Sequence, residues 1–249
     1  MIDLKTPEEI AIMKECGAIL NKSVKELLPI IEEGITTEEI DAQAAKLIKK
    51  NGADISFNKV PGYKWATCLP INEQIVHTMP SNRKLKNGDV LTVDIGAYLK
   101  TYHTDYATTI VVGGKTTPEI EKFLKVGEET LAKAIEVAKV GNHLGHISKV
   151  IQDAVRGNGY SVMKELTGHG IGHELHEDPF VPGFLEKPIE KTYKIKNGLV
   201  IAVEIIYAMG REKIAYEADE WSIITADHSI SACFEKTIAI TDENTFILT

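Results

Sequence analysis

Four carboxylates and one imidazole carry the chemistry that this sequence offers. Asp94 and Glu204 each occupy the ninth place of a ten-residue stretch that occurs twice. Lys86-Asn87-Gly88-Asp89-Val90-Leu91-Thr92-Val93-Asp94-Ile95 returns as Lys196-Asn197-Gly198-Leu199-Val200-Ile201-Ala202-Val203-Glu204-Ile205, with six of the ten places identical. Asp105 lies in Tyr102-His103-Thr104-Asp105-Tyr106, just before the run from Ala107 to Val112, and Glu235 lies in Phe234-Glu235-Lys236, just before Thr237 to Ile240. His169 stands in Gly168-His169-Gly170-Ile171-Gly172. Three glycines in five residues disfavour a helix, so this stretch is expected to be a loop where backbone approaches a ligand closely.

One acid at a strand terminus is ordinarily a turn or edge charge. Four of them with an imidazole form a hard, oxygen-rich set that repels itself without cations and holds more ligands than one tetrahedral zinc takes. Two divalent ions about 3.5–4 Å apart, bridged by shared carboxylates, satisfy it. Such a pair lowers the pKa of a bridging water and polarises a carbonyl, which is the chemistry of amide hydrolysis. Co, Mn, Fe and Zn all suit such a site, and cellular availability decides among them. The neighbouring His173-Glu174-Leu175-His176 is not the zinc-protease helix motif, whose histidines are spaced four apart where these are three apart.

The elements that must position these groups are legible around them. An Asn-Gly turn followed by a β-branched run marks a strand. Side-chain alternation puts Asp94 on one face with Val90 and Thr92, and Glu204 with Val200 and Ala202, leaving Leu91, Val93, Val203 and Ile205 on the other. Both faces are largely apolar, as in a sheet covered on both sides. An acid at the end of such a strand is tolerated when it is paired or binds a metal. Upstream, Thr6-Pro7-Glu8-Glu9 is a capping box with proline at the first helical position. Ile10, Met13, Gly17, Leu20, Val24, Leu27 and Ile31 then recur at helical steps, predicting a long helix interrupted near Pro29. Thr36 to Glu39 opens a second helix that stops at Asn51-Gly52. Strands are expected at about 88–95 and 98–112, ending at Gly113-Gly114. The second half repeats this order, with a helix from Thr117, another around 145–156, and strands near 198–208, 221–225 and 235–241.

Thr6-Pro7-Glu8 recurs as Thr117-Pro118-Glu119 and Asn51-Gly52 as Asn158-Gly159, each about 110 residues on, as the carboxylates do. The pattern predicts a single domain over residues 1–249, built of two related halves at about 1–115 and 116–249. An α+β architecture follows, with one sheet, helices packed behind it and a cleft in front.

The chain of 249 residues is 43% hydrophobic, enough to bury a sizeable core. Its net charge of −8 argues against nonspecific attraction to nucleic acid or acidic membranes. Lys187, Lys191, Lys194 and Lys196 are diluted by Glu186 and Glu190 and read as a solvated loop rather than a nucleic-acid site. Cys16, Cys68 and Cys233 show no paired spacing, which points to a reduced, cytoplasmic setting. Charges at Asp3, Lys5, Glu8, Glu9, Lys14 and Glu15 leave no apolar core for a signal peptide or a membrane span.

The ligand order Asp94, Asp105, His169, Glu204, Glu235, together with Trp221-Ser222 and Ser231-Ala232-Cys233-Phe234-Glu235-Lys236-Thr237, resembles the type I methionine aminopeptidases. The resemblance runs from the first helix to Thr249. It implies the duplicated pita-bread fold, a pseudo-twofold antiparallel sheet with helices on its outer face and the site in the cleft. By resemblance, Asp94 would bind one divalent metal, His169 and Glu204 the other, and Asp105 and Glu235 would bridge them. Glu204 would also act as general base. His176 matches the histidine that steadies the scissile carbonyl and tetrahedral intermediate, and His77 the one that hydrogen-bonds the substrate amide nitrogen. The methionine pocket maps onto Phe57, Tyr63, Cys68, Leu175 and Trp221. The implied substrates are N-terminal methionine peptides and nascent chains with a small second residue, met by a cytoplasmic monomer in transient contact with the ribosome.

The chain departs from the family pattern at a few places. Ile75-Val76-His77-Thr78-Met79-Pro80 stands where Val-Cys-His-Gly-Ile-Pro is usual. Thr104 replaces a frequent glycine, Ile205 a frequent proline, Lys236 a frequent histidine, and Leu175 a bulkier pocket aromatic. None removes a ligand, but side-chain selectivity is open to change. Two other readings share the fold. Asp94-Ile95-Gly96-Ala97 also suits the Xaa-Pro exopeptidases, although 249 residues leave no room for their usual N-terminal domain. A noncatalytic binding protein would be expected to have lost metal ligands.

Overall fold

The structure is a computed structural model that describes residues 2–249. Capping boxes start the first two helices. Thr6 Oγ1 accepts the Glu9 N–H at 3.3 Å and Glu9 Oε2 accepts the Thr6 N–H at 2.7 Å, opening α1 (Pro7–Leu27). Thr36 and Glu39 make the same reciprocal pair at the start of α2 (Thr37–Asn51), which ends at Gly52 in the left-handed conformation, φ 108°. A short 3-10 turn, Leu28–Ile30, follows α1 at Pro29. Then come β1 (Asp54–Ile55), β2 (Thr67–Cys68), β3 (Gln74–Val76), β4 (Val90–Leu99) and β5 (Tyr102–Val111).

The second half opens with α3 (Pro118–Glu136), capped where Thr117 Oγ1 accepts the Ile120 N–H at 3.3 Å. After α4 (Leu144–Gly157) come β6 (Ser161–Val162), β7 (Thr167–Gly170), β8 (Glu177–Pro182), β9 (Leu199–Ala208), β10 (Ile214–Tyr216), β11 (Ile223–Thr225), β12 (Ser231–Ile240) and β13 (Thr245–Ile247). The main antiparallel sheet runs β1-β4-β5-β12-β9-β7-β8, with β2 on β4, β6 on β9 and β13 on β12; β10, β11 and β3 form a smaller sheet.

Alternation decides which face the helices cover. Leu91, Val93, Ile95 and Ala97 of β4 share a buried core with Leu20, Leu27, Ile40 and Ile48 of α1 and α2. Ile201, Val203, Ile205 and Tyr207 of β9 do the same with Phe123, Leu131, Ile147 and Ile151 of α3 and α4. Each such Leu, Ile, Val or Phe side chain contributes about 1.5–3 kcal/mol on burial. The opposite face of the sheet is left for the cleft. Among the described residues no helix is long and apolar enough to cross a membrane.

Three expectations about strand limits are corrected. β4 does not end near its acid but runs on past Asp94 to Leu99, and β5 starts at Tyr102 rather than 98, the two joined by a two-residue turn at Lys100 and Thr101, both at positive φ (48° and 73°). That backbone matches the twist of a hairpin, but neither residue is a glycine or asparagine that would announce it. β12 likewise begins at Ser231, so Glu235 is interior rather than at the strand's entrance, whereas β9 (Leu199–Ala208) keeps the expected limits of about 198–208 with Glu204 inside it. His169 is not in a loop; Thr167–Gly170 is strand β7, paired with β8 and β9. Its glycines allow close strand approach. A Cβ on Gly168 would come within 2.5 Å of Ala202 O, and one on Gly170 would strike Asp178 O.

Candidate metal centre and active site

Register alone gathers the five candidate ligands. Across the sheet, Asp94 is the Cα partner of Ala107, Ala107 of Glu235, and Glu235 of Glu204. Directly paired residues share a face, as do residues two apart on one strand. Asp105, two places before Ala107, and His169, the partner of Ala202, therefore join the same face. All five line one cleft. Ligand atoms of Asp105, His169 and Glu235 lie within 4.8 Å of one another, and His169 Nε2 is 3.3 Å from Glu204 Oε1.

The site's electrostatics are set by burial. Burial pushes Asp94 and Glu235 well above the carboxylate range, helped in both by the charge of Asp105, and it raises Glu204 likewise with Asp105 adding to it. Burial also lifts Asp105 to about 7. His169 is depressed to about 3, by burial first and by the charge of His176 second. It is therefore neutral. Its Nδ1–H donates to Gly170 O at 2.8 Å, which leaves the Nε2 lone pair facing the carboxylates.

This donor set fits divalent cations. Glu235 Oε1 is buried without a hydrogen-bond partner, and nearly every such atom in a folded protein has one. The remaining groups are oxygen donors and one oriented imidazole, the mixture that first-row divalent ions accept. Thr237 supports the arrangement from the next shell: its Oγ1 accepts the Asp105 N–H and donates to Asp105 O, both at 2.9 Å.

The same cleft, about 200 Å³ in volume, is completed by Phe57, Tyr63, Cys68, Leu175 and Trp221. Phe57 meets Tyr63 edge-on at 6.4 Å, and Tyr63 tilts against Trp221 at 5.6 Å. Tyr63 donates its hydroxyl to Thr67 O at 2.7 Å. Burial, with the charge of Asp94, holds the Cys68 thiol protonated. The pocket thus presents neutral, polarisable surface. Sequence reasoning missed Val60 and Val76, which also line this cleft. Aliphatic residues in a loop and at a strand end carry no signal of the direction in which they point.

His77 and His176 stand exposed at the rim. His176 packs edge-on to His169 with ring centroids 4.4 Å apart. His77 has a left-handed backbone, φ 59°, unusual for a residue with a Cβ and common at functional sites. The protein around the cleft lowers the pKa of both, with the charge of His176 adding to the effect on His77. Three departures noted in the sequence do not reach the cleft. Thr104 Oγ1 donates to Cys16 Sγ at 3.2 Å, Ile205 lies in the helix-side core, and Lys236 lies 4.0 Å over the Tyr106 ring, its pKa brought down to about 8 by burial.

A face of four carboxylates and a histidine, backed by paired helices, suits a metal-dependent hydrolase, and the model for metallopeptidase family M24 matches residues 11–242. Methionine aminopeptidase 1 of Bacillus subtilis is 42% identical over 249 residues, covering 100% of this chain and 99% of that one. The crystal structure of methionine aminopeptidase from Thermotoga maritima superposes with a TM-score of 0.95 at 35% identity, covering 100% and 99% of the two chains. Prolidase from Pyrococcus furiosus shares the fold at a TM-score of 0.78 and 25% identity, but this chain covers only 65% of it. The chain belongs to metallopeptidase family M24, in its methionine aminopeptidase branch, and has that family's pita-bread fold.

Proposed function

We propose that this protein removes the N-terminal methionine from peptides and nascent chains whose second residue is small, using two divalent ions held by Asp94, Asp105, His169, Glu204 and Glu235. The observation that carries the reading is that one cleft is lined on one side by the five ligands and on the other by the neutral, apolar wall of Phe57, Tyr63, Cys68, Leu175 and Trp221. Asp94 would hold one ion, His169 and Glu204 the other, with Asp105 and Glu235 shared. When bound, the ions would lower the pKa of the attacking water and polarise the scissile carbonyl.

The chain's own groups do the rest. Glu204 takes the water's proton on a carboxylate oxygen and returns it to the leaving amine nitrogen. His176 donates a hydrogen bond to the carbonyl oxygen as negative charge gathers there. His77, neutral because its pKa is lowered, accepts a hydrogen bond from the scissile amide N–H. Phe57, Tyr63, Cys68, Leu175 and Trp221 hold the methionine side chain, and the free α-amine sits toward the metals. We read the two halves, about 1–115 and 116–249, as one duplicated catalytic domain, and place the protein in the cytoplasm as a monomer that meets nascent chains near the ribosome.

Calorimetric metal titration of the purified protein, paired with a peptide hydrolysis assay, tests this reading. Exhaustive chelation should abolish turnover and Mn, Co or Fe should restore it, with two equivalents bound. Glu204→Gln should stay folded, bind metal more weakly and lose useful turnover. Full turnover by verified metal-free protein would overturn the proposal.

A further inference from the structure

The turn Gly172–Glu177 decides where Leu175 and His176 stand, yet His173, Glu174 and His176 are exposed. Polar contacts hold it. The Gly172 N–H donates to Glu174 O at 3.1 Å, the Glu174 N–H to Glu177 Oε1 at 3.1 Å, and the His103 N–H to Gly172 O at 2.8 Å. At the His173 end, the ring lies against Tyr102 at 4.3 Å and Nδ1–H donates to Thr101 O at 3.1 Å.

At the other end is Lys5. Its ammonium lies 2.6 Å from Glu177 Oε2 and 2.7 Å from Asp3 Oδ2, and its side chain is 1% exposed where that of Glu177 is 15% exposed. Lysine is rarely buried so fully without a paired role. The fold makes room for it on both sides. A Cβ on Gly172 would strike Lys5 Cε, one on Gly198 would come within 2.5 Å of Lys5 O, and the Lys5 N–H donates to Gly198 O at 2.7 Å. The N-terminal arm is thereby wedged between the turn that opens β9 and the turn that carries His176.

We propose that Lys5 is a positioning residue for the reaction: by gripping Glu177, its buried ammonium holds the Gly172–Glu177 turn so that His176 stands over the metal ligands and Leu175 over the pocket. The inference rests on the reading of His176 as the group that serves the developing oxyanion. Removing one partner of a buried ion pair leaves the other uncompensated. Glu177, already partly exposed, then turns to water and releases the Glu174 N–H. Small displacements of a catalytic group cost heavily, up to about 10²-fold for 1 Å.

The test measures kcat and KM on Met-Ala-Ser at saturating Mn for wild type, Lys5→Met, Lys5→Arg, Glu177→Gln, His176→Ala and the Lys5→Met/His176→Ala double variant. Lys5→Met should lower kcat about tenfold and change KM less. Lys5→Arg should recover most of that loss, and in the His176→Ala background Lys5→Met should lower kcat no further, leaving only the change in KM that comes through Leu175. Glu177→Gln keeps the shape and the acceptor, should fall between, and with His176→Ala provides the same comparison if Lys5→Met does not fold. A wild-type kcat in Lys5→Met and Glu177→Gln, with His176→Ala impaired, would overturn the inference and leave the role of His176 standing. Losses of kcat that multiply in the double variant would overturn it too. A wild-type kcat in His176→Ala would instead remove the reading on which it rests.

Discussion

Glu204 and Glu235 face each other directly across the antiparallel β9–β12 pair, Cα partner to Cα partner. Like charges so placed destabilise a sheet, and burial prevents water from relieving them. A metal-free chain must therefore keep these groups protonated. A carboxyl whose folded pKa is raised contributes stability that is present below its unfolded pKa and is lost as pH rises through the folded one. For Asp105 that window runs from the ordinary 3.8 to about 7, and for Asp94, Glu204 and Glu235 it extends higher.

His169 and His103 act with the opposite sign, since burial lowers them to about 3 and about 4; their contribution is present above 6.5 and lost as pH falls. Above pH 6.5 these histidines no longer contribute, and Lys236, brought down to about 8, acts mainly above that value, so the carboxylates dominate the interval from pH 6.5 to pH 8. In chelator, the urea midpoint should therefore fall from pH 6.5 to pH 8, and saturating Mn should reverse the trend. A single carboxyl raised by three units accounts for up to about 4 kcal/mol. A metal-free midpoint that rises over that interval would contradict the account.

His176→Ala should lower kcat by roughly 10²- to 10³-fold with a smaller change in KM, because a group serving the oxyanion acts mainly in the transition state. Steady-state kinetics on Met-Ala-Ser decide it, and a wild-type kcat would make His176 a rim residue only.

Asp41 ties α2 to the segment that carries Cys68. Its Oδ1 accepts the Ala66 N–H at 2.8 Å, the Thr67 N–H at 2.9 Å and the Thr67 hydroxyl at 2.8 Å. Asp41→Ala would leave those buried donors unpaired and should cost about 2–3 kcal/mol in urea denaturation. Asp41→Asn keeps an acceptor and should cost less; equal losses would show that the acceptor is not what matters.

The helices were legible because their caps are local chemistry: Thr6 with Glu9 and Thr36 with Glu39 close their reciprocal bonds as their spacing requires. The sheet face of Asp94 and Glu204 was legible because alternation has a period of two. The hairpin at Lys100 and Thr101 was not, because the neighbouring strands impose positive φ on residues that do not favour it. His169 read as a loop residue because glycine weakens any local preference, while its strand is set by β8 and β9 from elsewhere in the chain. Lys5 looked like one charge among several at the N-terminus. Only the fold brings Glu177 to it, 172 residues away.

The pocket and the metal-proximal α-amine together set what should be cut. Met-Ala and Met-Gly peptides should lose methionine, peptides with a large second residue should do so much more slowly, and N-formyl-methionine should not be released. Discrimination by a few methylenes is worth roughly 1–3 kcal/mol each, so norleucine and leucine should leak through, the more so with Leu175 in the wall. Mass spectrometry of the products checks each of these, and efficient release of formylated methionine would contradict the placing of the amine.

The most direct measurement of the central claim compares kcat/KM for Met-Ala-Ser and Ala-Pro-Ser with the same metal-loaded protein. Methionine should be released from the first much faster than alanine from the second. Faster cleavage of the proline peptide would contradict it and assign the cleft to Xaa-Pro substrates.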